Sequence, residues 1–281
     1  MLAFLILNSC EKNINVTLKP YQSQLAVECI LQPNHVPTLH LGKSVAFFDS
    51  LTKNLDLFVN DALVTISNVN GIDTLHTVSK YNYYQCREEF FYQGRIPVLQ
   101  GQSYHLKIEY NGNVYEADTE MNIDAVQIDS ISYIAAFSDL YGEHEGVVVS
   151  FRDLPNEKNY YRYRMDRTLQ SSNTDIPNCA NGPYFASEIG RSVFFDKNTD
   201  GAPLTIVIEP AFQHQVGDTA LVFLETLDAA SARFFDDLDR QKSAKVNPFI
   251  EPVFINSNIA GAFGIFGASN DSRPIRFTYP E

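Results

Sequence analysis

The sequence predicts a mainly β protein: an N-terminal immunoglobulin-like sandwich, then a larger antiparallel β domain, sandwich or barrel-like, carrying one helix. Three observations carry that expectation. Short β-rich runs recur at near-regular spacing between clusters of Gly, Pro, Asn and Asp. The chain holds 20 Phe and 15 Tyr, residues that pack well on a pleated surface. Only one segment repeats its apolar residues with a helical period.

Within residues 21–121 the strand signals come in order. Leu25–Leu31 is β-rich and stops at Gln32-Pro33-Asn34. Thr38–Leu41 alternates and ends at Gly42-Lys43, and Leu55–Val59 stops at Asn60-Asp61. Leu63–Ser67 runs into Asn68-Val69-Asn70-Gly71, and short strands are expected at Tyr81–Tyr84 and Glu89–Tyr92. Tyr104–Tyr110 leads into Asn111-Gly112, the dipeptide that suits a two-residue hairpin turn. About 100 residues with this rhythm fit one immunoglobulin-like unit.

Residues 122–281 form the second expected domain. Ala125–Ile134 alternates cleanly, and Gly146–Phe151, Tyr160–Met165, Ser192–Phe195, Leu204–Ile208 and Ala220–Thr226 read as further strands. Residues 170–183 read as a loop. Near 228–242, Ala230, Phe234, Leu238 and Ala244 fall at helical spacing while Asp236, Asp237, Asp239 and Arg240 fill the other face. An amphipathic helix with a solvated acidic face is expected there. The chain then returns to β at Pro252–Ile255, Ala262–Gly267 and Ile275–Tyr279.

The chain opens on Leu2-Ala3-Phe4-Leu5-Ile6-Leu7, followed by Asn8-Ser9-Cys10 and the charged pair Glu11-Lys12. Residues 1–9 read as the apolar part of a secretory signal, too short to span a bilayer. Leu7-Asn8-Ser9-Cys10 resembles the bacterial lipobox, in which the cysteine thiol is acylated and the chain is cut just before it. A buried strand with an incidental cysteine is the plainer reading, and the abrupt switch to Glu-Lys-Asn-Ile-Asn opposes it. Residues 10–20 then form a lipidated cysteine and polar tether. No Lys or Arg precedes Cys10, where a signal is expected to start with basic residues, so whether Met1 is the true start stays open.

Charge narrows the function. Asp and Glu number 34 against 21 Lys and Arg, a formal net charge of −13. Such a surface repels phosphate backbones, so nucleic acid is not an expected partner. With Cys10 acylated, Cys29, Cys86 and Cys179 remain, and any one pairing among them is compatible with an oxidising compartment. Their spacing holds no zinc pattern.

Four stretches resemble chemistry and are read as structure. Gly42-Lys43-Ser44 ends like a phosphate loop, but Pro37 replaces the first glycine and no helix follows. Asp196, Asn198 and Asp200 with Gly201 open like a calcium loop, but Val207 stands where a bidentate Glu belongs. They remain weak calcium candidates beside a plain hairpin turn. Glu143-His144-Glu145 reads as an exposed loop, since strand geometry would send His144 to the opposite side from the two carboxylates. The acidic residues 236–239 read as the helix's wet face.

Asn247-Pro248-Phe249-Ile250-Glu251-Pro252-Val253 and Ser257-Asn258-Ile259-Ala260-Gly261-Ala262-Phe263-Gly264-Ile265-Phe266-Gly267 resemble the closing signature of domain-of-unknown-function family 4249, envelope lipoproteins of Bacteroidota. Asp61–Ile66, Gln100–Leu106 and Tyr115–Thr119 agree with it, and the usual paired glycines stand here as Gly261-Ala262. The resemblance implies an outer-membrane lipoprotein that accompanies a TonB-dependent nutrient transporter. It brings no catalytic residues, no cofactor and no metal, so the expected role is non-enzymatic. The alternatives are an envelope glycan or peptide hydrolase and a surface adhesion module.

Cys10→Ser is expected to leave the fold intact, abolish palmitate labelling and move the protein out of the membrane fraction, because stable anchoring takes two acyl chains. Metabolic labelling with clickable palmitate, followed by fractionation, checks this; the expressed gene must include any in-frame codons upstream of Met1. An unlabelled wild type sinks the lipidation reading.

Overall fold

The structure is a computed structural model, and it describes residues 21–46, 57–82, 87–139, 142–169, 184–189, 193–195, 200–210, 214–246, 249, 251 and 253–280. Cys10, Cys86, Cys179, Asp196 and Asn198 lie outside these residues.

The protein is mainly β with one helix among the described residues, consistent with the predicted β-sandwich class, and its large sheet does not close into a barrel. The first strands are β1 (Leu25–Leu31), β2 (Thr38–Lys43), β3 (Leu63–Asn68), β4 (Gly71–Asn82), β5 (Arg87–Gln93), β6 (Gln102–Tyr110) and β7 (Asn113–Met121). β1 buries Leu25, Val27, Cys29 and Leu31 on one face, the alternation its sequence announces. Asn111 and Gly112 both have positive φ, 49° and 76°, and close the β6–β7 hairpin as an Asn-Gly turn should. β4 is longer than the sequence reading, which found a strand only at 81–84. Asp73 and Leu75 alone are buried, and Ile72 faces outward among polar neighbours, so the strand shows little apolar alternation. Asp73 is buried because it accepts hydrogen bonds from the backbone of Arg95 (2.7 Å) and Ile96 (2.9 Å).

The remaining elements are β8 (Ile128–Asp139), β9 (Gly142–Arg152), β10 (Tyr160–Leu169), β11 (Tyr184–Ile189), β12 (Phe194–Phe195), β13 (Pro203–Ile208), β14 (Thr219–Leu227), helix α1 (Ala229–Val246), β15 (Phe263–Asp271) and β16 (Ile275–Thr278). Thirteen of the strands form one sheet, ordered β11-β10-β14-β15-β1-β2-β5-β4-β3-β6-β7, with β12 on β10 and β16 on β14. β13-β9-β8 form a second, three-stranded sheet. The N-terminal unit is therefore completed from the far end of the chain. β15 pairs with β1 in parallel, Ala26 opposite Phe263 through Leu31 opposite Ala268.

β15 is shared between layers. Phe266 and Ala268 enter the first core, beside Leu31, Leu39, Leu106 and Ile108. Ile265, on the opposite face, joins Ala232, Phe234 and Phe235 of α1. A second large core, around Val149, Phe151, Tyr161, Met165 and Leu224, fills the space between the three-stranded sheet and β10, β14 and β16. Burying one such aromatic contributes about 1.5–3 kcal/mol.

α1 starts at its N-cap Asp228, whose Oδ1 accepts from Ser231 N at 2.5 Å. The structure corrects two details of the sequence reading. Ala230 is exposed, and the buried stripe runs through Ala232, Phe234 and Phe235. Asp237 is buried instead of solvated, because its Oδ2 accepts from Asn256 N (3.1 Å) and Asn256 Nδ2 (2.6 Å).

Gly264 has φ 140°, and a Cβ there would collide with the Val27 carbonyl oxygen of the neighbouring strand. Gly264→Ala is expected to cost more than about 3 kcal/mol, strain and clash together, or to prevent folding. Gly71→Ala, at φ 150° with open space around it, should cost about 1–2 kcal/mol from strain alone. Urea unfolding of both variants checks the difference, and equal losses would contradict the close β1–β15 approach.

Candidate functional site

The described residues enclose two open recesses that could take a ligand. The first lies where α1 crosses the start of β1, the end of β2 and the start of β15. Its volume is about 390 Å³ and its walls include Phe58, Phe90, Phe234, Leu238 and Phe263. These side chains come from four separate places in the chain, Phe234 and Leu238 both being on α1, and the Phe58 and Phe90 rings stand 5.6 Å apart. Two polar residues line it, Glu28 on β1 and His40 on β2, and they are direct cross-strand partners. They share the outer face because each alternates with core residues on its own strand. Apolar walls with a few converging polar groups are the usual anatomy of a ligand pocket. Neither polar residue was singled out from sequence. Glu28 could have been, because it is the one charge in an otherwise apolar strand, LAVECIL.

The second recess, about 380 Å³, is polar and is lined by Gln32, His35, Arg164, Phe223, Asp271 and Arg273. Arg164 lies over the Phe223 ring at 4.1 Å and donates to Asp271 at 2.9 Å. It also faces Glu225 at 3.7 Å and Asp166 at 3.5 Å. Glu225 in turn accepts from Arg162 Nε at 2.6 Å, and Arg162 sits 4.0 Å from the centre of the Phe235 ring. Burial pushes the Glu225 carboxyl above the usual carboxylate range, and Arg162 pulls it back only in part. With its charges matched internally, this cluster is built as a strut between the sheet and α1.

The residues singled out from sequence are placed as follows. Thr38–Lys43 is strand β2, so Gly42-Lys43-Ser44 presents no helix N-terminus to a phosphate. Asp200 is an exposed turn residue whose Oδ1 accepts from Asn156 N at 2.6 Å; Asp196 and Asn198, the other calcium candidates, fall outside the described residues. Glu143, His144 and Glu145 lie in strand β9 and not in a loop. They diverge as strand geometry requires: His144 faces Glu209 at 3.5 Å, while Glu145 accepts from Tyr133 and lies 3.6 Å from His214. His214 stacks on Tyr279, a residue of the second core, with ring centres 3.9 Å apart. No group of three or more His, Cys, Asp or Glu among the described residues could hold a metal. Cys29 is a free, buried thiol pushed up by burial.

The Tyr133 phenol is pushed up to about 12, first by its hydrogen bond to Glu145 and then by burial. Its neutral form is the one the fold favours. The stabilisation from this bond is therefore complete below the ordinary phenol value of 10.0 and is lost as pH rises through about 12. Glu145→Gln is expected to bring the Tyr133 titration back toward 10.0, read from the ring carbon resonance identified by Tyr133→Phe. A Tyr133 that titrates alike in both proteins would contradict the bond.

A family model described as Domain of unknown function (DUF4249) matches residues 11–274 of the chain. No curated protein matches it.

Proposed function

The chain belongs to the DUF4249 family, and we propose that it is a non-catalytic, lipid-anchored protein of the outer membrane that captures a ligand beside a TonB-dependent transporter. The anchor is Cys10, and the membrane is reached through its acyl chains. One observation carries the reading: an open, apolar-walled recess with Glu28 and His40 side by side in its lining, on a rigid β scaffold. That arrangement suits a partly apolar ligand with one hydrogen-bonding or cationic group. Because Glu28 and His40 are held by the β1–β2 register, their spacing does not depend on a ligand to organise it. The Tyr133, Glu145 and His214 cluster favours structure over hydrolysis, since Tyr133 and His214 are packed against the Phe277 and Tyr279 rings.

Two measurements test this. The neutral apolar dye N-phenyl-1-naphthylamine is expected to bind the full chain with enhanced fluorescence. Phe90→Ser should weaken that binding about tenfold, the equivalent of losing part of one buried aromatic. Affinity purification from native membranes is expected to bring down a TonB-dependent β-barrel. Unchanged dye binding in the variant removes the recess from the reading. Turnover of an envelope glycan or peptide by the purified chain would replace it with the hydrolase alternative.

A further inference from the structure

We propose that the end of the molecule at which the tether enters is a membrane-seating face, and that Phe254 is the side chain it inserts into lipid. The register of the sheet defines that end. β1 starts there, with Leu25 opposite Lys43 and Ala26 opposite Phe263. Tyr21 is tied to the same place by its hydroxyl, which donates to Ser44 Oγ at 2.6 Å, and it is 51% exposed.

α1 runs antiparallel to β15. A Cβ on Gly267 would meet Ser231, early in the helix, and Phe234 stands 6.4 Å from Phe263 at the strand's start. The last turns of α1 therefore reach past the beginnings of β1 and β15. The segment that returns from the helix is clamped to those turns. Val253 N donates to Gln241 Oε1 at 3.0 Å, and Asn256 is held twice by the buried Asp237. Between the two clamps Ile255 packs inward against the helix core, and Phe254, its neighbour, points outward at 99% exposure. Phe249, five residues earlier, is 95% exposed. A phenyl ring held in water by a backbone fixed on both sides has no role in the cores of this fold.

Two facts select lipid as the occupant. The first is the tether: Cys10 lies eleven residues before Tyr21, so at about 3.3–3.6 Å per residue its acyl chains stay within about 40 Å of this end. In this choice of occupant the inference rests on the anchoring reading above. The second is charge. A net charge of −13 repels anionic headgroups, so the seat must work by apolar and aromatic insertion, as interfacial side chains do. Arg240 and Lys242 are also on this end of α1, where they can reach lipid phosphates. The opposite end carries its own exposed aliphatic residues, Val69 (84%) and Ile72 (67%), at the β3–β4 hairpin, so the two ends can be set against each other.

The chain has no Trp, so a single introduced indole reports its own surroundings. Phe254→Trp and Ile72→Trp would each be made in the full chain carrying Cys10→Ser, whose inserted ring alone gives weak, reversible binding that the washes of a fractionation remove, and mixed with an excess of vesicles of phosphatidylcholine and phosphatidylethanolamine with brominated acyl chains. The indole at position 254 is expected to shift to the blue and be quenched, and the one at 72 to be unaffected. Phe254→Ser should lower vesicle partitioning about tenfold with an unchanged unfolding midpoint, since the ring it removes is exposed. An unquenched indole at 254 overturns the proposal, as does quenching at 72 alone. So does an indole at 254 that ignores vesicles but is shielded in a detergent-solubilised transporter complex, which would make this a protein interface. Palmitate labelling at Cys10 reads the anchor separately: an unlabelled Cys10 with a quenched indole at 254 removes the anchor and keeps the seat.

Discussion

The parallel pairing of β1 with β15 is the contact on which the rest of the architecture depends. It joins a strand at the start of the described chain to one near its end, Val27 opposite Gly264 and Cys29 opposite Phe266. Through it the first core gains Phe266 and Ala268, and the sheet becomes continuous from β7 to β11. The pairing also dictates composition. At Gly264 the strand adopts φ 140° against the Val27 carbonyl, and at Gly267 it must admit Ser231 of α1. Glycine is the residue that permits both a positive φ and a close approach. A pairing this far apart in sequence closes late and slowly, because the loop entropy is lost before the contact is gained.

Polar groups hold the layers where apolar packing alone would leave them free to slide. Asp228 caps α1 through Ser231 and also accepts from Ala268 N at 2.7 Å and Thr119 Oγ1 at 3.2 Å, so one carboxylate fixes the helix start to β15 and β7. Asn258 does the same by exchanging two hydrogen bonds with the Phe266 backbone, at 2.7 and 2.9 Å. On the opposite flank, Arg162 and Glu225 form a buried pair beneath Phe235. Desolvating such a pair offsets most of its Coulomb gain, so its contribution is register and angle more than stability. Removing one partner alone would still be severe, because the other charge would stay buried without compensation.

Much of the strand content was legible in the sequence, because the buried face of each strand is written as alternation. β1, the β6–β7 hairpin and α1 all follow from local pattern and turn chemistry. What was not legible depends on partners far away in the chain. β4 hides its strand character because Ile72 faces out and Asp73 faces in, and Asp73 looks like a surface residue until Arg95 and Ile96 present their amides to it. Asp237 reads as part of a wet acidic face, and only Asn256 explains its burial. The recess shows the same limit. Phe58, Phe90, Phe234 and Phe263 give no shared local signal, since only tertiary pairing brings them to one place. The helical period did find α1, but it misassigned Ala230, because a stripe read from four residues leaves its centre uncertain by one position.

The dependence of the recess on β15 would tie any ligand binding there to the integrity of the whole sheet. Its walls are supplied by β1, β2, α1 and β15, so the site exists only once the end of the chain has docked against its beginning. Whatever binds there binds the closed sheet and not the open one. By mass action it then stabilises the closed state in proportion to RT ln(1 + [L]/Kd), about 2.7 kcal/mol at a hundredfold excess over Kd. The same closure sets α1 across the start of β1 and carries Phe254 to the end where β1 begins. Recess and exposed ring are thus two products of one pairing, formed together on one end of the molecule. A ligand that strengthens the pairing would also hold Phe254 and its clamped segment in place, and so would couple binding in the recess to the way that end meets its surroundings.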